Sequence, residues 1–300
     1  MPPSVRERQF LDPAVVARLS NLELKARTVV EGFLSGLHRS PFKGFSVEFA
    51  EYRQYIPGDD LSTIDWKVYA RSDRHYVKKF EEETNLNCHV MLDISGSMAY
   101  GSRGITKYEY GQCLAASLAY LMNRQRDGVG LAAFDERIVT MLPASARPGH
   151  LSAMLVTLDR LQLGTETNVS KPLHQLADSL SKRGMVVLIS DLLDDPERVI
   201  RGLKHFRFRG TDVIVFQLLD PDELAFPFQR ATRFEDMETQ EEVLAQPVMV
   251  REHYLKAIGG LIERYKQELG AAGIDYQLLT TDQPLELALL AYLSTRGRTF

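Results

Sequence analysis

The 300-residue sequence predicts an α/β fold, a doubly wound and mostly parallel sheet covered by helices. From about Asn87 onwards, short apolar runs alternate with amphipathic segments of ten or more residues, a pattern typical of right-handed βαβ units. The apolar run Cys88–Leu92 leads directly into Asp93-Ile94-Ser95-Gly96-Ser97. Such a run predicts a buried strand that delivers polar side chains to its carboxyl end, where open α/β sheets bind their ligands.

A smaller N-terminal module is expected before this sheet. Helical periodicity runs from about Pro13 to Leu37, and strand-like segments follow at Phe45–Phe49 and Tyr76–Glu83. We therefore expect residues 1–86 to form an N-terminal helix and a small strand-containing module at the edge of the sheet. Residues 87–300 are then expected to form the main domain.

The elements of the main domain follow from apolar periodicity and from the turn residues between them. The predicted strands are Cys88–Asp93, Gly128–Phe134, Ile138–Leu142, Met185–Ser190, Asp212–Leu219 and Ile274–Leu279. The predicted helices are Lys107–Arg124, Gly149–Leu161, Lys171–Lys182, Pro196–Phe206, Arg251–Ala272 and Pro284–Ser294. The second and third strands are joined by only three residues, which predicts an antiparallel hairpin at one edge. An insertion at about 220–247 is expected to form an exposed hairpin.

Bulk properties exclude several classes of protein. The chain is 44% hydrophobic and 25% charged, with a net charge of −4 and interspersed basic residues, so nothing favours a disordered chain or a nucleic-acid partner. No run approaches eighteen apolar residues, and the N-terminus has no apolar core like that of a signal peptide. We therefore expect a cytoplasmic protein with no membrane span.

Oxygen-bearing side chains cluster at the predicted strand ends. Asp93, Ser95 and Ser97 follow the first strand, and Asp191 follows Met185–Ser190 in the same position as Asp93 on its own strand. Thr167 lies in the loop 164–169 before a helix. Oxygen ligands are those that Mg²⁺ prefers, so the pattern predicts a divalent-metal site for binding, with Mg²⁺ or Mn²⁺ as cofactor.

This constellation resembles the metal-ion-dependent adhesion site of von Willebrand factor A-type domains. The resemblance implies that Ser95 and Ser97 ligate the metal directly, and that Asp93, Thr167 and Asp191 bind it directly or through water. A partner's Asp or Glu would take the sixth position. The threonine loop departs from the typical Gly-Gly-Thr-Asp-Leu, which leaves Thr165 as an alternative to Thr167.

Longer motifs resemble the bacterial family called domain of unknown function 58. They read Glu51-x-Arg53-x-Tyr55-x-x-Gly58-Asp59-Asp60, Ile64-Asp65-Trp66-x-x-x-Ala70-Arg71, Val77-Lys78-x-Phe80-x-x-Glu83, Asp220-Pro221-x-Glu223-Leu224 and Leu279-Thr280-Thr281-Asp282. Members are typically encoded beside a MoxR-type AAA+ ATPase, so the resemblance implies a non-enzymatic, chaperone-like adaptor that acts with such an ATPase or its client. The N-terminal membrane spans that many members carry are not seen in this sequence.

Other interpretations remain open at this stage. Asp-x-Ser-Gly-Ser is also a pattern that caps helix starts. A Mg²⁺-dependent hydrolase would use Asp93 as its nucleophile, although Ser95 occupies the place where such sites usually carry a second carboxylate. No histidine falls in the three predicted ligand loops to act as a general base.

Overall fold

A computed structural model describes residues 12–19, 21–38, 52–54, 76–78, 86–164, 169–180, 184–237 and 241–299. The chain divides into two compact units. One unit comprises Met1–Arg39 together with Leu86–Phe300, and the other comprises Ser40–Asn85. In the second unit the described residues form two antiparallel strands, in which Arg53 faces Val77. The predicted strand Phe45–Phe49 lies outside the described residues.

The described elements follow one another in a regular order. The strands are β1 (Tyr52–Gln54), β2 (Tyr76–Lys78), β3 (Asn87–Asp93), β4 (Gly128–Phe134), β5 (Ile138–Ser145), β6 (Met185–Ser190), β7 (Asp212–Leu219), β8 (Thr232–Glu235), β9 (Glu242–Ala245) and β10 (Asp275–Thr280). The α-helices are α1 (Pro13–Ala17), α2 (Leu22–His38), α3 (Lys107–Arg124), α4 (His150–Arg160), α5 (Ser170–Ser179), α6 (Pro196–Phe208), α7 (Pro221–Ala225), α8 (Pro247–Ala271) and α9 (Glu286–Thr299). A short 3₁₀-helix spans Gly96–Ala99.

The main sheet has six strands in the order β10-β7-β6-β3-β4-β5. All neighbouring strands are parallel except β4 and β5, which form the predicted antiparallel hairpin. From the centre of the sheet, the chain first adds β3, β4 and β5 towards one edge and then β6, β7 and β10 towards the other. This is the strand order of a doubly wound fold, and its switch point lies between β3 and β6. The predicted fold class, a doubly wound and mostly parallel α/β sheet, is confirmed.

The two faces of the sheet bury different helices because side chains alternate along each strand. Val90 and Leu92 of β3 pack into the core that contains α3, α4 and α9. Met91 of the same strand packs on the opposite face, with α5, α6 and α8. The strands are thus buried on both sides, as expected for a mostly parallel sheet.

The compact units differ from the expected domain boundary at residue 86. Helix α2 belongs with the main sheet unit, since Ala26, Val29 and Val30 are fully buried in the core that contains α3. The physical reason is that the apolar stripe of α2 needs a partner, and the side of α3 away from the sheet provides one. None of the described helices is long and apolar enough to span a membrane.

Candidate functional site

Strands β3 and β6 end side by side at the point where the strand order reverses. Their parallel register runs to Leu92 opposite Ile189, so Asp93 and Ser190 leave the sheet together. The Ser190 hydroxyl donates a hydrogen bond of 2.6 Å to Oδ2 of Asp93. Asp191 follows immediately, which places the two predicted aspartates at neighbouring strand ends.

Asp93 is fully buried and is held by the chain on both carboxylate oxygens. Its Oδ1 accepts the backbone N–H of Ser95 at 2.9 Å, and its Oδ2 accepts the Ser190 hydroxyl. Burial, followed by the nearby charge of Asp191, raises the pKa of Asp93 to about 7. A bound cation would favour the ionised form of this carboxyl group.

The two serine hydroxyls form a hydrogen bond with each other, and their separation would also suit two neighbouring ligands of one small cation. Ser95 Oγ and Ser97 Oγ lie 3.1 Å apart. Ligand oxygens sit about 2.1 Å from Mg²⁺, so adjacent corners of its octahedron are separated by about 3.0 Å. Ser95 is buried, whereas Ser97 is partly exposed. This donor set fits the predicted ion.

The helix-capping interpretation finds no support at Ser95. This residue precedes the 3₁₀-helix Gly96–Ala99, but its side chain makes no capping hydrogen bond to that helix. The hydroxyl turns toward Ser97 instead.

Asp191 is fully buried beside a buried lysine. Its Oδ2 accepts a hydrogen bond from Lys107 Nζ at 2.8 Å, and its Oδ1 accepts the backbone N–H of Leu193 at 3.2 Å. The next residue, Leu192, has a φ of 56°, a left-handed conformation that is uncommon for leucine. Gln217 fixes the backbone here, since its Nε2 donates to the Asp191 carbonyl at 2.9 Å.

Thr167 and its alternative Thr165 lie outside the described residues. The residues on either side of this segment are anchored at the site. The Gly164 N–H donates to the Ile94 carbonyl at 2.6 Å, and the Val169 N–H donates to Asp194 Oδ2 at 2.9 Å. A Cβ on Gly164 would lie 2.5 Å from the carboxylate of Asp135, so a larger residue here would have to displace that side chain.

Lys107 is a charged residue at the site that the sequence analysis missed. It is fully buried as the first residue of α3, and its Nζ donates to both Asp191 Oδ2 and Glu223 Oε1, the latter at 2.7 Å. Burial alone lowers the pKa of Lys107, but the charges of Asp191 and Glu223 outweigh it and raise the pKa overall. A positive charge in the first turn of a helix is unfavourable because of the helix dipole. The lysine at this position of the predicted helix was therefore the sequence feature that could have identified Lys107.

The two C-terminal family motifs meet beside this lysine. Asp220 caps α7 together with Glu223, accepts the backbone N–H of Ser102 at 2.8 Å, and accepts the Thr281 hydroxyl at 3.2 Å. These contacts connect the loop after the serines to the ends of β7 and β10. The motif residues thus form one polar network around the site.

The predicted hairpin is confirmed as β8 and β9, which pair antiparallel. An aromatic cluster lies at its base: Phe226 packs on Phe234 and Tyr254, with ring centroids 5.7 and 4.6 Å apart. Burial, then the charge of Glu223, raises the pKa of Tyr254, which places this cluster next to the polar network. Large apolar side chains are exposed on β9 and at the start of α8, namely Val243, Leu244, Val248 and Met249.

Within the described part of the chain, no group of three or more His, Cys, Asp or Glu side chains could hold a metal ion. The candidate site is of another kind, because hydroxyls make up half of its described donors. Asp93, Ser95, Ser97 and Asp191 are brought to one edge of the sheet as predicted, and their role as ligands stays a prediction.

Comparison with known proteins identifies the family of this chain. The family model for "Protein of unknown function DUF58" matches residues 51–259. An uncharacterized protein of Mycobacterium tuberculosis is 26% identical over 302 residues, which cover 99% of this chain and 94% of that protein. The uncharacterized protein YeaD of Bacillus subtilis is 26% identical over 152 residues, covering 48% of this chain and 35% of YeaD.

Two solved structures are similar at low sequence identity. The conserved hypothetical protein BatB from Bacteroides thetaiotaomicron has a TM-score of 0.49 and 15% identity, covering 71% of this chain and 99% of BatB. The von Willebrand A domain of SpRpn10 has a TM-score of 0.39 and 12% identity, covering 67% of this chain and 92% of that domain.

Proposed function

The chain belongs to the DUF58 family of proteins of unknown function, and from that premise we propose that it is a non-enzymatic, metal-dependent protein-binding adaptor of von Willebrand A type. Mg²⁺ or Mn²⁺ would be held by Asp93, Ser95, Ser97 and Asp191, with Thr167 as the fifth ligand. The partner is a MoxR-type AAA+ ATPase or its client, and the outcome is chaperone-like maturation or assembly.

One observation carries this proposal: two buried aspartates stand at adjacent strand ends beside two hydroxyls that lie 3.1 Å apart. The carboxylates attract a cation, and the neutral hydroxyls leave it short of negative charge. A bound ion of this kind supplies an electrophilic centre for one carboxylate oxygen from outside. The partly exposed Ser97 marks the side from which a partner's Asp or Glu would approach.

A Mg²⁺-dependent hydrolase is the alternative, and the surroundings of Asp93 argue against it. A nucleophile must be reached by its substrate, but the Asp93 side chain is fully buried. No histidine falls in the three ligand loops to activate water. Metal-dependent phosphoester or peptide hydrolysis that is lost in Asp93→Asn would favour the hydrolase over the adaptor.

The direct test is capture of a purified MoxR-type AAA+ ATPase. We expect the 300-residue chain to bind it in Mg²⁺ and to lose most of that binding in a chelator or in Ser97→Ala, which removes one proposed metal ligand. Ser152→Ala is the matched control, since Ser152 is exposed on α4, away from the site. Biolayer interferometry measures the affinity. Equal binding by wild type, by folded Ser97→Ala and in chelator would refute the adaptor mechanism.

We further propose that the exposed apolar residues of β9 and α8 form a second contact with the ATPase. The hairpin follows the carboxyl end of β7, which shares its direction with β3 and β6, so it rises from the same edge of the sheet as the site. Exposed apolar patches of this kind commonly mark interaction surfaces.

Leu244→Ser combined with Met249→Ser is expected to weaken ATPase binding about tenfold or more, as for a central interface contact, and to leave Mn²⁺ affinity unchanged. Phe208→Ser is the control, because Phe208 is 91% exposed at the end of α6, near the opposite edge of the sheet. Interferometry measures the ATPase affinity, and calorimetry measures the Mn²⁺ affinity. Unchanged ATPase affinity in the double variant would remove the hairpin from the interface.

A further inference from the structure

Lys107 is a buried cation placed where a divalent ion would act. Its side chain is 1% exposed, and its ammonium lies between the carboxylates of Asp191 and Glu223, at 2.8 and 2.7 Å. Lysines are almost never buried to this extent unless they are paired. The carboxylates of Asp93 and Asp220 also lie at the site, so this one ammonium does not balance the local negative charge.

The position of this ammonium limits what Asp191 can offer to a metal. Oδ2 of Asp191 is taken by Lys107, and Oδ1 accepts the Leu193 N–H. A divalent ion that reaches Asp191 therefore either shares the carboxylate with an ammonium, against the repulsion of like charges in a poorly solvated setting, or displaces it. Glu223 supplies the second acceptor to which a displaced Lys107 remains bound.

We propose that Lys107 is a tethered cation that competes with the divalent ion for Asp191, so that the site loads metal firmly only when a partner adds a carboxylate. This inference rests on the proposed function and extends it to regulation of the same site. Lys107 acts here as a positioning residue, since it sets the availability of a ligand. Lys107 also pairs with Glu223 of α7, and the chain continues from α7 into the hairpin β8–β9. The group that regulates metal binding is thus connected to the segment that leads into the hairpin.

A purely structural ion pair makes the opposite prediction for metal affinity. If Lys107 only joins α3 to β6 and α7, its removal loosens the site and weakens metal binding. If it competes with the ion, its removal frees Asp191 and tightens metal binding. The direction of the change therefore separates the two roles.

The test uses the double variant Lys107→Met with Glu223→Gln, which removes one positive and one negative charge and leaves Asp191 without its ammonium partner, the state in which a divalent ion meets no competitor. Mn²⁺ binding is measured by electron paramagnetic resonance on the full chain without partner. We expect affinity at least tenfold tighter than wild type. The control Lys204→Met with Glu268→Gln removes an exposed ion pair of similar length, 2.9 Å, between α6 and α8, and is expected to change nothing.

A folded double variant that binds Mn²⁺ no more tightly than wild type overturns the inference. Glu223→Gln alone provides a second measurement. In this variant Asp191 is the only charged partner that Lys107 keeps of the two, so Lys107 should hold Asp191 more strongly and Mn²⁺ should bind more weakly. Equal or tighter Mn²⁺ binding counts against the inference. If wild type binds no Mn²⁺, Mn²⁺ binding by the double variant supports the competition. A double variant that also binds no Mn²⁺ refutes the competition. ATPase capture that stays metal-dependent without any tightening shows that this inference fails while the proposed function stands.

Discussion

Replacing Asp93 by asparagine is expected to abolish Mn²⁺ binding and yet to stabilise the metal-free protein at pH 8, by about 1–3 kcal/mol. Asparagine retains an oxygen for the Ser95 N–H and an amide that can donate to Ser190. It removes a charge that is fully buried beside Asp191. Under the proposed function, the carboxylate offsets this cost by holding the ion.

The pH dependence follows from the same carboxyl group. The pKa of Asp93 is about 7 in the folded protein, against about 3.9 for an unperturbed aspartate. The folded state therefore binds the proton more tightly, so the free energy of unfolding of metal-free wild type falls as the pH rises from about 4 to about 7. Metal binding needs the ionised form and should weaken below about pH 7, with proton release.

Urea unfolding in chelator at pH 4 and pH 8 measures the stability difference, and calorimetry measures metal binding. Asp159→Asn serves as the control, since Asp159 is exposed on α4. We expect Asp93→Asn and wild type to differ little at pH 4 and clearly at pH 8. An Asp93→Asn protein that retains Mn²⁺, or that is less stable than wild type at pH 8, would contradict this account of the site.

The second large effect expected is reciprocal tightening between metal and partner. If an external carboxylate completes the ion's coordination, Mn²⁺ should tighten ATPase binding by about 5–150-fold, the range of typical coupling energies. The ATPase must then tighten Mn²⁺ by the same factor, because linkage between two equilibria is symmetric. The carboxylate loses its water only when the two proteins dock, which gives the coupling its physical origin.

This coupling is measured by a complete thermodynamic cycle: ATPase affinity with Mn²⁺ and with chelator, and Mn²⁺ affinity with and without saturating ATPase. Ser97→Ala should abolish the coupling at both ends without lowering the melting temperature markedly, since Ser97 is only partly buried. Ser152→Ala should keep it. If the ATPase binds tightly while the Mn²⁺ affinity stays the same, the metal is not part of the interface.

Much of the fold was predictable because it is encoded locally. The predicted strand Met185–Ser190 coincides with β6, and the predicted helix Lys107–Arg124 coincides with α3. The capping box of Thr106 and Glu109 marks where that helix starts. The end of α5 was less well predicted: the sequence suggested Lys182, whereas the helix ends at Ser179, because amphipathic periodicity defines a helix better than it defines its last turn.

By itself, the sequence determined that Asp93 and Asp191 follow buried strands and that Ser95 and Ser97 share one loop, because parallel strands carry their carboxyl ends to the same edge. Only the tertiary structure decided what surrounds them. Lys107 reaches Asp191 across 84 residues and Glu223 across 116, and α2 joins the main core instead of the N-terminal module. Such contacts depend on how separate helices pack onto the finished sheet. Hydrophobic periodicity identifies each helix and its apolar face, but it does not say which buried charge that packing brings beside another.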